Sequence, residues 1–254
     1  MIGSTLRMAK TPANVFVDCY REYGPAYRVK VFGMRICFCV LSFLVLASAS
    51  SSGWSDDAAW KFEHDKDGIQ VYTRAVEGWS IREFKGVTRI RARLSSLVAV
   101  IDDISARHEL TDVVSEAQIE HRDSDTRYQV YSAMKMPWPI ADRDILNQRE
   151  IVQDGNSLAV TITDVAIEDP SPLKKGLVHI LKSHTRWMLV PTPDGSIQVQ
   201  WQTLSDPAGP IPASIINAMS VSTPIKTLSR LREMVQRTQY AHAKLAFIED
   251  PAVH

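Results

Sequence analysis

The residues best placed to do chemistry lie between Asp142 and Arg149. Asp142-Arg143-Asp144 sets opposite charges side by side, and the stretch behind it, Ile145-Leu146-Asn147-Gln148-Arg149, has the character of a strand. Alternate side chains of a strand share a face, so Ile145, Asn147, Arg149 and Ile151 stand together, with Leu146, Gln148, Glu150 and Val152 opposite. Each face mixes polar and apolar groups. A guanidinium buried on such a face must be paired or hydrogen-bonded, and could then offer N–H donors to a hydroxyl, carbonyl or phosphate. Two plainer roles fit Arg149 equally: a solvent-exposed arginine on an amphipathic strand, or one half of a structural salt bridge. Asp142-Arg143-Asp144 is expected to be structural, tying a turn to backbone groups at the strand entrance.

Other chemistry lacks a signature. The histidines, His64, His108, His121, His179, His184, His242 and His254, show no ligand spacing. The chain has no glycine-rich phosphate loop, nucleophile elbow or paired catalytic motif. Glu150, Asp164 and His184 are the acid-base candidates an enzyme would draw on, and no motif surrounds them. No cofactor, metal or catalytic residue is expected.

Charge and cysteine usage narrow the field further. The chain carries 29 basic and 29 acidic residues, but the stretch before Ile36 holds Arg7, Lys10, Arg21, Arg28, Lys30 and Arg35 against Asp18 and Glu22 alone. The remainder is mildly acidic and has no basic block able to neutralise a row of phosphates, so nucleic acid is not an expected partner. Cys19, Cys37 and Cys39 all lie near the N-terminus. A chain cut after Ala49 would hold no thiol and would be indifferent to an oxidising compartment.

That cut has a sequence rationale. Met34-Arg35 leads into the apolar run Ile36 to Leu46, then Ala47-Ser48-Ala49 and a serine cluster. A positive start, a short apolar core and small residues at the cleavage positions describe a signal peptide over 34–49. The core falls short of the roughly 20 apolar residues of a membrane span. Cleavage after Ala49 and export to the periplasm or medium are expected, with an uncleaved anchor as the alternative. Residues 1–33 read as an upstream mis-start or a tail.

Downstream, 56–63 reads as a short helix with acidic residues at its start. Asp67-Gly68 turns the chain into strands over 69–73 and 81–90. Ser95 could cap a helix bearing Leu97, Val100, Ile101 and Ile104 on one face. Strands follow over about 114–121, 127–136, 144–153, 157–167, 184–190 and 196–204, with Asp154-Gly155-Asn156 and Pro193-Asp194-Gly195 supplying turns. From Ala213 to about His242, Ile215, Met219, Ser222, Ile225, Leu228, Leu231 and Val235 recur at three or four and predict a long amphipathic helix. Pro224 inside it would kink it, either as a hinge for a lid or to follow a curved sheet. Trp138 and Trp201 are expected to pack in the core. The order is that of an α+β domain, running over 54–245 with a C-terminal tail at 246–254.

Two stretches carry a family resemblance. Pro137-Trp138-Pro139-Ile140-Ala141-Asp142-Arg143-Asp144 running into a strand, and Trp201-Gln202-Thr203-Leu204-Ser205-Asp206-Pro207-Ala208-Gly209-Pro210-Ile211-Pro212 running into a helix, resemble the START lipid-transfer domains. The resemblance covers about residues 56–240. It implies the helix-grip fold, a curved antiparallel sheet wrapped around a long C-terminal helix with an internal apolar cavity. It also implies that Ile145, Asn147 and Arg149, with Ser220, Thr223, Thr227 and Leu231 on one stripe of the helix, face a ligand. At the distance where the family implies an acidic partner for Arg149 stand Gln129, Val130 and Tyr131, and His179 replaces a frequent arginine. The loop 169–176 matches a segment that gates the cavity; Leu173 with Lys174 and Lys175 could touch a bilayer, or the loop could be solvated. The function implied is non-catalytic: a monomer that holds one lipid, whether sterol, phospholipid or fatty-acyl ligand, and touches membrane surfaces transiently. The alternative is a helix-grip enzyme, cyclase-like or hydrolase-like, acting on a small apolar substrate.

Overall fold

Asp67 and Gly68 both adopt positive φ, 53° and 71°, in a computed structural model that describes residues 59–167 and 176–252. A two-residue turn of this kind matches the twist of the strands it joins. It closes a hairpin between β1 (Lys61–Lys66) and β2 (Ile69–Ala75), with Lys66 opposite Ile69. Within the predicted 56–63 helix, the described residues 59–60 have no regular structure and 61–63 belong to a strand. β1 is an edge strand exposed at most positions, so it lacks the apolar alternation that marks an embedded strand.

The chain continues through β3 (Arg82–Ile90), α1 (Leu94–Asp102), α2 (Arg107–Leu110), β4 (Val114–Arg122), β5 (Arg127–Met134), β6 (Arg143–Gln153), β7 (Val160–Ala166), β8 (Val178–His179), β9 (Ser183–Pro191) and β10 (Ile197–Ser205). It ends with α3 (Ala213–Met234) and α4 (Thr238–Ala241). The strands form one sheet in the order β1-β2-β3-β10-β9-β7-β6-β5-β4, every neighbour antiparallel, with the short β8 running parallel to β6 off this path. This large curved antiparallel sheet with its C-terminal helix is the helix-grip arrangement. The predicted strands from 69 onward coincide with observed ones to within a few residues. Gly195 takes positive φ in its turn as expected, whereas in the β6–β7 turn that role falls to Leu158.

Ser95 does not cap α1. The cap position is Arg93, two residues earlier, and the Ser95 hydroxyl lies 2.8 Å from the Ala243 carbonyl and 2.7 Å from the Asp250 carboxylate, its one proton serving either, while its N–H donates to Asp250. The segment after α4 is thereby fastened to α1, and Ile248 is buried in the main core. α3 ends at Met234, earlier than predicted, and α4 follows as a separate turn. α3 remains helical through Pro224. Its Leu228, Leu231 and Met234 are buried with Val235, and it lies so close to β3 that a Cβ on Gly86 would sit 2.8 Å from Leu228 Cδ1 and 3.0 Å from Pro224 Cβ.

Candidate functional site

Register builds the site before any side chain is considered. Tyr128 on β5 pairs with Arg149 on β6, Arg149 with Asp164 on β7, Asp164 with Thr185 on β9, and Thr185 with Thr203 on β10. Residues in register share a face, so one polar row crosses five strands of an otherwise apolar surface. Within it, Arg149 Nε and Nη2 donate to Asp164 Oδ1 and Oδ2, both at 2.7 Å, and Thr185 and Thr203 share a hydrogen bond of 3.0 Å.

Arg149 is fully buried and largely engaged. Besides Asp164 it reaches the Ile101 carbonyl at 3.0 Å and Asp102 Oδ1 at 3.4 Å, both at the end of α1. The partner sought upstream of Arg149 is thus Asp164, downstream in the next strand. Burial opposes both charges, but each outweighs that effect for the other: Asp164 is held well below the usual carboxylate range, and Arg149 above its ordinary value. Tyr128 donates its hydroxyl to Asp102.

Arg107, from the four-residue α2, completes the cluster. Its Nη2 donates to Asp164 Oδ2 at 3.1 Å. Its Nη1 is shielded from solvent and has no partner among the described residues. Burial and the adjacent Arg149 charge lower its pKa. Sequence reading missed Arg107 because a single helical turn carries no periodicity.

Arg107, Arg149, Thr185 and Thr203 line a pocket of about 240 Å³ between the sheet, α2 and α3. Of the predicted ligand-facing residues, Ile145, Asn147, Arg149, Ser220 and Thr223 line it. Thr227 and Leu231 do not: both are fully buried further along α3, Leu231 within the core. The expected stripe is therefore shorter, since the helix sinks into the core beyond Thr223. Most of the remaining wall is apolar, including Ile101, Leu110, Ile180, Trp187 and Ile216. Trp201 both lines the pocket and packs in the core, stacked on Trp187 at 5.1 Å. Asn147 Oδ1 and Ser132 Oγ, on adjacent strands of the wall, are shielded and without partners among the described residues.

Glu150, Asp164 and His184 do not line this pocket. Glu150 lies 3.5 Å from Arg127, Asp164 is spent on two arginines, and His184, whose pKa is lowered by burial and Arg186, lines a second pocket with Trp79, Leu181 and Asp206.

At the opposite end of the pocket, Met136, Pro207 and Ile211 are partly exposed, whereas Ile101, Leu110 and Arg149 are buried. The pocket thus opens toward the turn between β5 and β6. Arg143 braces that turn by donating to the carbonyls of Pro207 at 3.2 Å, Ala208 at 3.0 Å and Ala141. Asp142 accepts from the Met136 N–H at 3.1 Å and the Lys135 ammonium at 2.6 Å. Asp144 accepts from the Tyr131 hydroxyl at 3.1 Å and lies 2.6 Å from His179 Nδ1, so the charged triplet is structural as expected. Trp138, expected in the core, is instead 92% exposed at the tip of the turn. Residues 168–175, which include Leu173, Lys174 and Lys175, and the N-terminal stretch with its predicted signal peptide lie outside the described residues.

The START domain family model matches residues 45–241. A Pseudomonas aeruginosa protein described as uncharacterized is 28% identical over 206 residues, spanning 78% of this chain and 98% of its own. Among solved structures, the STAR-related lipid transfer protein from Xanthomonas axonopodis (fragment 25–204) superposes with a TM-score of 0.64 at 33% identity, covering 70% of this chain and 99% of that one. Human StAR-related lipid transfer protein 5 gives a TM-score of 0.63 at 17% identity, covering 71% and 88%.

Proposed function

The chain belongs to the START domain family, whose domains generally bind lipids, and on that premise we propose that it is a non-catalytic carrier holding one lipid in the pocket between sheet and α3. One observation carries this reading: an apolar wall interrupted by a few polar atoms that lack partners among the described residues. Burying about 400 Å² of an apolar ligand at roughly 25 cal/mol per Å² yields on the order of 10 kcal/mol before ordering costs. Shape and hydrophobicity then supply affinity, and the polar atoms supply selection.

Loading takes place at a membrane surface, with the end of the pocket near Trp138 turned toward the bilayer. Tryptophan favours the headgroup region, where its ring is buried and its N–H stays wet. Residues 34–49 direct export, with cleavage after Ala49. N-terminal sequencing of the protein recovered from the host should then begin at Ser50; recovery of the intact N-terminus in the membrane fraction would mean an anchor instead. The carrier role is tested by following a fluorescent lipid from donor to acceptor vesicles, where the initial rate should rise in proportion to protein concentration. No acceleration with sterol, ceramide, phospholipid or fatty-acyl probes would refute it.

A further inference from the structure

Lys182, His184 and Arg186 alternate through the start of β9, so they share its outer face, turned away from the pocket that Thr185 and Trp187 line. Successive members of such a row stand about 7 Å apart. Lys182 and His184 line a cleft of about 500 Å³ on that face, walled by Trp79 and Ser80 of the turn between β2 and β3, by Leu181 and by Asp206. Ser183 lines both cavities, so the cleft lies back to back with the pocket.

The row has no acidic partner. None of its three bases forms an ion pair among the described residues; Arg186 donates from Nη2 to the amide oxygen of Gln202 at 3.1 Å, and its Nε has no partner among them. The carboxylates nearby are engaged elsewhere. Glu83 accepts from Arg74 at 2.6 Å and from Gln202, Asp164 accepts from Arg149 and Arg107 on the inner face, and Asp206 accepts from the Ala208 N–H at 3.0 Å. Glu77 stands exposed in the turn between β2 and β3, and the register neighbours of His184 are the uncharged Val165 and Leu204. His184 senses the resulting field: desolvation in the cleft, and after it the Arg186 charge, lower its pKa, and Glu83 and Asp164 offset this only in part.

We propose that this cleft is a second binding site, for a phosphate group held by Lys182 and His184 with Arg186 supplying charge behind them. A phosphate presents oxygens in several directions and carries up to two charges, so it can bridge successive members of such a row, whereas one arginine satisfies a planar carboxylate. Trp79 and Leu181 offer an apolar edge to whatever the phosphate is esterified to. The bound anion favours the protonated imidazole. The site does not depend on lipid carriage, and its phosphate comes either from a free phosphate ester or from the headgroup of a membrane lipid.

The test follows the His184 nuclear magnetic resonance signal in the full chain, isotopically labelled at histidine Cε1, with His184→Gln identifying the signal by its loss. Inorganic phosphate, added at about pH 6.5 near the ordinary histidine value, should shift it saturably, and sodium chloride of equal ionic strength should not. By reciprocity, a threefold preference for the charged ring raises its titration midpoint by about 0.5 at saturation. Lys182→Gln, at an exposed position, should weaken binding by about threefold or more while leaving the melting temperature unchanged, and Arg186→Gln should act in the same direction. Vesicles of phosphatidylcholine with phosphatidic acid separate the sources: a response to them and not to inorganic phosphate assigns the headgroup, and the reverse assigns a free ester. No saturable response to either, or an equal response to chloride, would overturn the site and leave lipid carriage standing.

Discussion

Arg149 and Asp164 are register partners on neighbouring strands, and their side chains close a two-point bridge, Nε to Oδ1 and Nη2 to Oδ2, each 2.7 Å. Both are shielded from water, so removing one partner strands the other. Asp164→Asn should lower unfolding free energy by about 3–5 kcal/mol, measured by urea denaturation. A change below about 1 kcal/mol would mean the bridge is incidental to stability.

The same pair sets a pH dependence. Burial raises the Asp164 pKa, but Arg149 and then Arg107 outweigh it, so its folded value lies below the unfolded value of about 3.9. A depressed carboxylate pKa contributes stability that is complete above the unfolded value and is lost as pH falls toward the folded one. Thermal midpoints should therefore fall steeply below about pH 4, and the slope should be shallower in Asp164→Asn. Parallel slopes would assign acid unfolding to other carboxylates.

Gly86 is where α3 meets the sheet. A methyl there would press on Leu228 and on the rigid ring of Pro224, and overpacking of this kind costs about 1–3 kcal/mol. Gly86→Ala should be destabilised by that amount in denaturant titrations, and unchanged stability would show that the helix can lift from β3 without penalty.

Trp138 should behave oppositely. With its side chain almost wholly exposed, Trp138→Ala should leave the melting temperature within about 1 °C, because surface changes away from special features stay near ±0.5 kcal/mol. Vesicle co-sedimentation and lipid transfer should both drop several-fold. Loss of stability without loss of vesicle association would place Trp138 in the fold rather than at the membrane.

Much of this was legible in the sequence, for a physical reason. Strands embedded in the sheet alternate because one face must be buried, which made β2 through β7 and the long strands β9 and β10 visible. β1 is an edge exposed at nearly every position, and its one signal was Asp67-Gly68, a hairpin turn that demands a strand on both sides. The Arg149 partner was harder to reach. Counting outward from a turn centred on Gly155 pairs 149 with Thr161, whereas the loop runs on to Ala159 and the register that results brings 149 opposite Asp164; the upstream residues searched belong to the other neighbour, β5. Arg107 had no such route, because its position depends on how α2 folds back over the sheet. Thr227 and Leu231 share the helical spacing of Ser220 and Thr223, and periodicity cannot reveal where along a helix a pocket ends and the core begins.

The central claim, one lipid per chain, is tested most directly by native mass spectrometry of the protein expressed from its full sequence in its host and recovered after export, with the released ligand identified after extraction. The account predicts a species heavier than the bare chain by one lipid. A bare chain that also fails to take up lipid from vesicles afterwards would contradict it.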